Sequence, residues 1–396
     1  MNTKISKLDN KGRGITYIND KITFVNNALE GEEVILDNIK EEKKYNEANV
    51  KEIITQSSNR VTPKCPFYKQ CGGCNIMHMN YESQCDFKLN KVKDIISKYA
   101  SLEPEIRIVQ NDKELFYRNK ISLKILNYEW GYYNDNTHDF VMIKSCLLAK
   151  NSINDVIHNK KHYKISNGSI TIRTNYLNEI LLSITTNEDY EIDYQSLEDN
   201  IVGIVVNGKT VYKNNYFYDM IGDYKFKITY DAFFQINNFI ANNIFIILQS
   251  NLEGKNLLDL YCGVGTLGLS LKDKYETIYG IEINKNAIED AKENAIINKA
   301  NNTKYYAGDT YKILKTINKS FDTVIVDPPR NGLNKATISL IKNIKPETLV
   351  YVSCDPITLA RDLKLLSDTY EVRKLNALDM FPNTYHVENI VILERR

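Results

Sequence analysis

Residues 257–268, LLDLYCGVGTLG, combine a short apolar run with a glycine-rich turn that follows it directly. The run has the length of a buried strand, and Gly263, Gly265 and Gly268 precede a predicted helix. Glycines at such a turn let the backbone bend tightly and bring a ligand close to the helix N-terminus. The stretch therefore predicts an α/β domain that binds a nucleotide-like cofactor at this turn.

Strands and helices alternate on both sides of this turn. A helix is predicted over residues 237–252, and further strands over residues 276–284, 321–329 and 348–354. Such alternation is typical of a parallel sheet covered by helices on both faces. Ligands of these sheets bind at the carboxyl ends of the strands, where the motifs below mostly fall.

Two acidic residues follow the glycine turn at predicted strand ends. Glu282 closes the strand that ends in GIE, where a carboxylate can accept hydrogen bonds from both hydroxyls of an adenosine ribose. Asp309, in YYAGD, ends a third strand and could face the adenine, although an exposed loop aspartate is an equally good interpretation. Glycine spacing alone suits a nicotinamide dehydrogenase as well as a methyltransferase.

The next two strand ends carry reactive side chains. In VIVDPPR two prolines remove backbone donors, so Asp327 is presented on a rigid loop. In VYVSCDP the thiol of Cys354 follows a buried strand. A lone strand cysteine is usually inert, but the neighbouring Ser353 and Asp355, and the DPPR turn of the same sheet, favour a functional thiol.

The sequence resembles the S-adenosylmethionine-dependent RNA 5-methyluridine methyltransferases over nearly its whole length. The motifs that carry the resemblance occur in the family's order: FFQIN (233–237), DLYCGVGT (259–266), GIE (280–282), DPPR (327–330), SCDP (353–356) and HVE (386–388). The fold implied is a multidomain α/β protein with an N-terminal OB-like (TRAM-type) β-barrel, a central β-rich domain with a metal cluster and a C-terminal Rossmann-like class I methyltransferase domain.

The resemblance also implies roles for single residues. Cys354 is the implied nucleophile and Glu388 the implied base, with Asp327 as the competing base, and the implied S-adenosylmethionine site contains Gln235, Tyr261, Gly263, Glu282, Asp309 and Asp327. The chemistry requires such a pair. Addition of a thiolate to uracil carbon 6 creates an enolate whose carbon 5 can attack the sulfonium methyl group, and a carboxylate then removes the carbon 5 proton. Arg330 is one possible source of the positive charge that favours the thiolate.

Three cysteines form a C-x5-C-x2-C pattern in CPFYKQCGGC, where Cys65, Cys71 and Cys74 provide three thiolates. The resemblance to the 23S rRNA branch of the family implies Cys146 as the fourth ligand of a [4Fe-4S] cluster. Zinc, which also accepts four thiolates, remains the alternative metal. His78 and Cys85 are alternative fourth ligands, although Cys85 lies in a predicted helix and is interpreted as structural.

Three domains are predicted: an OB-like barrel over residues 1–57, a cluster-bearing β-rich domain over 58–225 and the methyltransferase domain over 226–396. Short apolar runs between Gly, Asn and Asp turns indicate the barrel, for which RNA binding and simple packing are equally good interpretations. The segment FYRNKISLK, which contains Arg118, Lys120 and Lys124, is locally basic and aromatic, and phosphate contact and a solvated strand face are equally good interpretations.

The 396 residues carry 51 Lys and Arg against 50 Asp and Glu, so bulk charge gives no support for nucleic-acid binding. The chain has no apolar run long enough to cross a bilayer and no secretory signal, so we expect a cytoplasmic protein, with reduced cysteines.

Family resemblance implies a structured RNA partner, with 23S rRNA favoured over tRNA, and we expect a monomer. An enzyme acting on an exocyclic amine and a noncatalytic iron-sulfur RNA-binding or electron-transfer protein are the alternatives, with a nicotinamide dehydrogenase a distant third.

Overall fold

The computed structural model describes residues 1–134, 137–317 and 319–396. It divides into two compact units. The first unit contains Met1–Lys91, Tyr132–Val141 and Phe381–His386, and the second contains Val92–Gly131, Met142–Met380 and Val387–Arg396. None of the helices among the described residues is both long and apolar enough to cross a membrane.

The first unit begins with a six-stranded sheet whose order is β1-β5-β6-β4-β3-β2. Its strands are β1 (Asn2–Lys4), β2 (Lys7–Leu8), β3 (Gly14–Ile18), β4 (Lys21–Asn26), β5 (Glu33–Glu41) and β6 (Asn46–Thr55). Because β1 pairs with β5 while β2 pairs with β3, the N-terminal segment joins both edges and the sheet closes on itself. Buried apolar side chains, including Ile5, Val25, Val34 and Ala48, fill its interior.

A cysteine-containing loop follows the sheet and leads into α1 (Tyr81–Ile95). The helix ends in a π-helical turn, Ile96–Ala100, which stops at Ser101 with a left-handed φ of 56°. The helix predicted to contain Cys85 is therefore confirmed. Within the first unit, Gln84 of α1 holds the segment Phe381–His386, since its Oε1 accepts a hydrogen bond from Asn383 N at 2.8 Å.

The second unit continues with a β-rich stretch. The elements along this stretch are β7 (Ile106–Val109), β8 (Lys120–Leu126), β9 (Glu129–Tyr133), β10 (Phe140–Met142), α2 (Asn151–His158), a 3-10 turn (Lys160–His162), β11 (Tyr163–Ile165), β12 (Asn167–Thr174), β13 (Ile180–Thr185), β14 (Tyr190–Ile192), β15 (Ile201–Val206), β16 (Lys209–Lys213), β17 (Tyr216–Ile221) and β18 (Tyr224–Thr229). The last two residues of β9 and the first two of β10 belong to the first unit. In this unit β9, β8, β12, β13, β15 and β16 lie side by side as the central sheet. The buried side of α2 covers one face of that sheet, with Ser152 hydrogen-bonded to Thr174 of β12.

The remainder of the second unit alternates helices and strands, as the sequence predicts. Its elements are α3 (Asn238–Asn251), β19 (Gly254–Leu260), α4 (Thr266–Leu269), β20 (Tyr275–Glu282), α5 (Lys285–Ile297), β21 (Thr303–Ala307), α6 (Thr310–Leu314), β22 (Thr323–Val326), α7 (Lys335–Ile344), β23 (Thr348–Ser353), α8 (Pro356–Leu366), β24 (Tyr370–Leu378) and β25 (Glu388–Arg395). They form an eight-stranded sheet in the order β21-β20-β19-β22-β23-β25-β24-β7.

The strands from β19 to β23 are mutually parallel, which confirms the predicted parallel sheet. The sequences of β22 (TVIV) and β23 (TLVYVS) are nearly continuous apolar runs because both faces are covered; all four residues of β22 are buried. Strand order reverses between β19 and β22. Ligands of open α/β sheets bind at such a reversal. In contrast, β25 runs antiparallel to both of its neighbours.

Candidate active site

The turn after β19 has an unusual backbone. Tyr261 adopts a left-handed φ of 64°, which is uncommon for a bulky residue, and Gly263 and Gly265 follow with φ of 54° and 85°. The Tyr261 hydroxyl lies 3.3 Å from Thr337 Oγ1, which orients the ring. These three positive φ values curl the chain around the end of the sheet.

The glycines of this turn serve different purposes. A Cβ atom at Gly265 would lie 2.7 Å from the Tyr305 hydroxyl, so this position has no room for a side chain. A Cβ at Gly263 would meet no atom within 4 Å, so this glycine faces open space while its φ still favours glycine. The turn therefore leaves room beside Gly263 for a nucleotide-like cofactor.

Glu282 lies at the end of β20, next to this turn. Its Oε2 accepts a hydrogen bond from Gly263 N at 3.3 Å, and its Oε1 accepts one from Asn284 N at 2.9 Å. Two backbone donors thus fix the carboxylate beside the glycine turn. The predicted contact between Glu282 and the ribose hydroxyls fits this placement and stays a prediction.

Asp259 lies beneath the turn and was missed from the sequence, where it looks like one polar residue within the apolar run LLDL. Its Oδ2 accepts a hydrogen bond from Gly268 N at 3.0 Å, whereas its Oδ1 has no partner among the described residues. Burial raises the pKa of Asp259 to about 8. The carboxyl group is therefore mostly neutral at pH 7 and places no full charge under the cofactor turn.

Asp309 lies two residues beyond β21 and is exposed. Its side chain accepts a hydrogen bond from Lys312 N at 3.0 Å and caps α6, a role that explains the residue without any ligand. A contact with adenine remains a prediction for this residue.

Gln235 is buried in the loop between β18 and α3. Asn119, just before β8, donates from Nδ2 to Gln235 O at 3.0 Å and from its backbone N to Ile236 O at 3.0 Å. Arg173 of β12 donates to Ala232 O in the same loop. The central sheet therefore fixes the loop that contains this predicted cofactor contact.

Cys354 and Glu388 meet at one end of the sheet. Cys354 directly follows β23, Glu388 is the first residue of β25, and the antiparallel register pairs Ser353 with Asn389. Cys354, Glu388 and Asp327 lie close enough to influence one another. The Glu388 carboxylate raises the pKa of the Cys354 thiol, and the Asp327 carboxylate raises the pKa of both Cys354 and Glu388. The structure thus brings together the predicted nucleophile and both candidate bases.

The acidic groups of this cluster hold their protons strongly. Burial, assisted by Glu388, raises the pKa of the Cys354 thiol to about 11, while the hydrogen-bonded Arg330 guanidinium opposes that rise. Burial raises the pKa of Asp327 to about 7. Burial and the Asp327 charge raise the pKa of Glu388 well above its ordinary value, and Arg330 again opposes them. Asp327 is therefore the carboxyl group here that gains or loses a proton near neutral pH.

Arg330 is exposed at the end of the DPPR turn and is the cation beside Cys354. The sequence-based suggestion that it supplies positive charge to the thiol agrees with this hydrogen bond. A cation that stabilises the thiolate, next to carboxyl groups that accept protons, can activate sulfur as a nucleophile.

The predicted metal ligands lie in both units and are described separately. In the first unit, Cys71 N donates to Phe67 O at 2.7 Å and Gly73 N lies 3.4 Å from Cys71 Sγ, so the loop of Cys65, Cys71 and Cys74 wraps tightly. In the second unit, Cys146 N donates to Asn154 Oδ1 at 2.7 Å.

No group of three or more His, Cys, Asp or Glu residues in the described ranges is arranged to hold a metal ion. The four-cysteine site stays a prediction. Of the alternative ligands, His78 is buried with its Nδ1 2.6 Å from the Tyr68 hydroxyl, and burial lowers its pKa to about 3. Cys85 is buried in α1, as its structural interpretation predicts.

Comparisons with known proteins agree with this geometry. The family model described as tRNA (Uracil-5-)-methyltransferase matches residues 80–396. An uncharacterized RNA methyltransferase of Clostridium tetani is 33% identical, with 99% of this chain and 95% of that protein covered. One from Aquifex aeolicus is also 33% identical, with 98% and 97% covered.

A solved structure is similar over the full chain. It is the Pyrococcus abyssi tRNA (uracil-54, C5)-methyltransferase in complex with S-adenosyl-L-homocysteine, with a TM-score of 0.81, 27% sequence identity and coverage of 99% of this chain and 100% of that one. Together, fold and site define the class of this protein: it is an RNA methyltransferase that uses S-adenosylmethionine. The chain belongs to the RNA uracil-5-methyltransferase family and acts on carbon 5 of uridine.

Proposed function

We propose that the enzyme methylates carbon 5 of a specific uridine in 23S rRNA through a covalent adduct between Cys354 and uracil carbon 6. One observation carries this proposal: the Cys354 thiol lies with Glu388, Asp327 and Arg330 at the end of the sheet that also forms the glycine turn. An enzyme that methylates an exocyclic amine has no need for such a thiol.

The proposed reaction begins when Cys354 loses its proton and its sulfur bonds to uracil carbon 6. Arg330 stabilises the thiolate, and Asp327, with its pKa of about 7, is a carboxylate that can take the thiol proton at neutral pH. The electron pair of the carbon 5–carbon 6 double bond moves onto carbon 4 oxygen as an enolate. Carbon 5 then attacks the sulfonium methyl group that S-adenosylmethionine supplies when bound, so that the methyl–sulfur bond breaks with S-adenosylhomocysteine as the leaving group.

Release requires removal of the carbon 5 proton, after which the carbon–sulfur bond breaks and the thiolate leaves. We assign this proton to Glu388, with Asp327 as the competing base. Glu388 must be ionised at this step, although burial and the Asp327 charge raise its pKa in the free enzyme. Protonation of Asp327 during the first step removes that neighbouring charge, which favours ionisation of Glu388.

The proposed cofactor contacts are Gln235, Tyr261, Gly263, Glu282, Asp309 and Asp327. Support comes from the open space beside Gly263 and from the two backbone donors that fix Glu282.

We also propose three domains, with residues 1–57 as an OB-like TRAM-type RNA-binding barrel, 58–225 as the cluster-bearing domain and 226–396 as the methyltransferase domain. The closed sheet of β1–β6 supports the first assignment.

We further propose that Cys65, Cys71, Cys74 and Cys146 hold a [4Fe-4S] cluster that supports folding or RNA docking, since methyl transfer from a sulfonium requires no electron. Four soft thiolate donors suit iron-sulfur and zinc alike, so zinc is the alternative. The four cysteines support 23S rRNA as substrate. A tRNA substrate is the second candidate, because the matching family and the Pyrococcus abyssi enzyme are both named as tRNA methyltransferases.

The test is transfer of labelled methyl from S-adenosylmethionine to unmodified bulk RNA, followed by identification of the nucleoside and of the RNA that contains it. Label in 5-methyluridine of 23S rRNA supports the proposal. Label in 5-methyluridine of tRNA keeps the reaction and replaces the substrate. Absence of any labelled 5-methyluridine with folded protein overturns the proposed function.

A further inference from the structure

The central sheet of the second unit has one face rich in hydroxyl groups and cations, opposite the face that α2 covers. We call it the hydroxyl face, and it consists of Lys120, Ser122 and Lys124 of β8, Ser169, Thr171 and Arg173 of β12, and Ser183 and Thr185 of β13. The alternating residues of β8, such as Ile121 and Leu123, are buried on the other side. The alternation is therefore that of a sheet with one core face and one polar face.

Strand register arranges the hydroxyl face in three rows. Lys120 lies opposite Arg173, Ser122 opposite Thr171, and Lys124 opposite Ser169. The next strand extends two of these rows, because Thr171 pairs with Ser183 and Ser169 pairs with Thr185, whereas Arg173 pairs with buried Leu181. In the middle row, the hydroxyls of Ser122 and Thr171 lie 2.8 Å apart.

The two cations at one end of the face are close to each other and poor in anionic partners. Burial and the Arg173 charge lower the pKa of Lys120 to about 8. Arg173 is 5% exposed, and its Nε has no partner among the described residues, although its guanidinium also bonds to Ala232 O. Like charges directly across a strand pair cost stability, and an anion between them would remove that cost.

Carboxylates lie at the margins of the face rather than within it. Asp231 is near enough to Arg173 to oppose the fall in its pKa, and Glu188 bonds to Ser166 and Asn167 beyond the Lys124 row. None of the eight residues in the three rows is acidic. The face is thus complementary in charge to a polyanion.

The hydroxyl face ends at the loop between β18 and α3, which contains Gln235. Arg173 bonds to Ala232 O and Asn119, the residue before Lys120, bonds to Gln235 O, so the same two strands hold the loop. Exposure falls along the face from Lys124, which is exposed, through half-buried Lys120 to buried Arg173. An extended anion on this face would therefore lead toward the loop that contains Gln235.

We propose that the hydroxyl face binds the sugar-phosphate backbone of the substrate RNA, with one phosphodiester held between Lys120 and Arg173. Small hydroxyls and cations are the groups that contact phosphate and ribose without reading sequence. This inference rests on the proposed function only in taking RNA as the substrate, and it assigns the residues that position the RNA.

The test uses the full-length protein and in vitro transcribed, unmodified 23S rRNA and tRNA, with affinity measured by filter binding over a series of salt concentrations. We expect Lys120→Ala to weaken binding on the order of tenfold and to lower the slope of log affinity against log salt by about one. Lys124→Ala, at an exposed position, should lower affinity about threefold and act similarly on the slope. Lys120→Arg should bind nearly as the wild type does.

The matched control is Lys209→Ala. Lys209 is exposed on β16 of the same sheet and pairs with Val206 of β15. Val206 in turn pairs with Ile184, which faces the core, so Lys209 does not belong to the hydroxyl face. This variant should bind RNA as the wild type does. Thermal melting should show that all variants fold, and S-adenosylmethionine affinity, measured by calorimetry, should stay unchanged.

Two patterns overturn the inference: RNA binding equal to wild type in Lys120→Ala and Lys124→Ala, or loss of S-adenosylmethionine affinity in Lys120→Ala without loss of RNA affinity. The second pattern would mean that Lys120 and Arg173 bind the carboxylate of S-adenosylmethionine instead of a phosphate of the RNA. Wild-type protein that binds neither RNA also overturns it. If the lysine variants weaken RNA binding but the wild type forms no 5-methyluridine, the proposed function fails and the docking surface stands.

Discussion

Glu388 lies beside Cys354 because the strands that contain them are antiparallel. Cys354 follows the last residue of β23, whereas Glu388 is the first residue of β25, and Ser353 pairs with Asn389. Had β25 been parallel, its first residue would lie at the opposite edge of the sheet from the cofactor turn. The reversed strand therefore brings a carboxyl group from the C-terminal segment to the thiol.

Replacement of the nucleophile should abolish methyl transfer without loss of cofactor binding. We expect Cys354→Ala to lower the rate of 5-methyluridine formation by at least about a thousandfold, because carbon 5 is not activated without the adduct. S-adenosylmethionine affinity, measured by calorimetry, should be unchanged. Cys85→Ala, which removes a thiol buried in α1, is the control and should retain turnover. Equal activity in Cys354→Ala and wild type would exclude the covalent mechanism.

Removal of the base should trap the enzyme on its RNA. In Glu388→Gln the thiol can still add and the methyl group can still move, but the carbon 5 proton stays, so the carbon–sulfur bond cannot break. We expect a protein–RNA adduct that resists denaturing electrophoresis and contains labelled methyl. The double variant Cys354→Ala/Glu388→Gln should form none.

Asp327→Asn distinguishes the two candidate bases. Asp327, with a pKa of about 7, is proposed to accept the thiol proton, so its loss should slow adduct formation. If Asp327→Asn instead accumulates methylated adduct while Glu388→Gln turns over, the two assignments must be exchanged.

Arg330 should control the reactivity of the Cys354 thiol. Its guanidinium lowers a thiol pKa that burial raises to about 11, so thiolate is scarce at pH 7 and increases as pH rises. We expect Arg330→Ala to slow alkylation of Cys354 by iodoacetamide roughly tenfold at pH 8, with a smaller deficit at higher pH. Mass spectrometry of the Cys354 peptide over a pH series measures this.

Arg330→Lys keeps the charge and should recover part of the rate. Arg373→Ala removes an exposed arginine paired with Glu394 and should react as the wild type does. Identical alkylation profiles for Arg330→Ala and wild type would mean that Arg330 does not activate the thiol.

The sequence predicted the parts of this site that depend on local pattern. Apolar runs followed by glycines, prolines or reactive residues indicate parallel strands and their carboxyl ends, so the positions of Glu282, Asp327 and Cys354 could be predicted. Glu388 could be inferred from the HVE motif alone, because nothing local to residues 386–395 reveals that β25 reverses direction. Strand direction depends on pairing between distant segments.

Two other features depend on distant contacts. Asp259 looks like an interruption of an apolar strand, and its raised pKa arises from burial beneath the turn that begins at Tyr261, where Gly268 N donates to its carboxyl group. The hydroxyl face requires the register of β8, β12 and β13, which single-strand patterns do not give. FYRNKISLK could be recognised as basic, but its partner Arg173 could not.

The cysteine cluster has a direct chemical test. Protein purified without oxygen should contain about four iron and four sulfide per chain, with the absorption of a [4Fe-4S] cluster. Cys74→Ser should lose the metal and melt several degrees lower, because metal binding contributes to folding free energy. Cys85→Ser, from the same unit, should keep its metal. One zinc per chain and no sulfide would replace the cluster with the alternative metal.

Asp259 should make the folded state less stable as pH rises. Its pKa is about 8 in the folded protein and near 3.8 when unfolded, so between these values the folded state holds a proton that the unfolded state has lost. The free energy of unfolding should therefore fall with rising pH across this window, by at most about 1.4 kcal/mol per pH unit from this group. Asp259→Asn resembles the protonated form and does not titrate. Urea unfolding without cofactor should give similar stabilities for the two proteins near pH 4 and a growing advantage for Asp259→Asn up to pH 8. Because the Asp327 charge raises the pKa of Asp259, the difference between the two curves reports Asp259 together with its coupling to Asp327. Parallel curves would mean that the Asp259 carboxyl group ionises without the cost that burial implies.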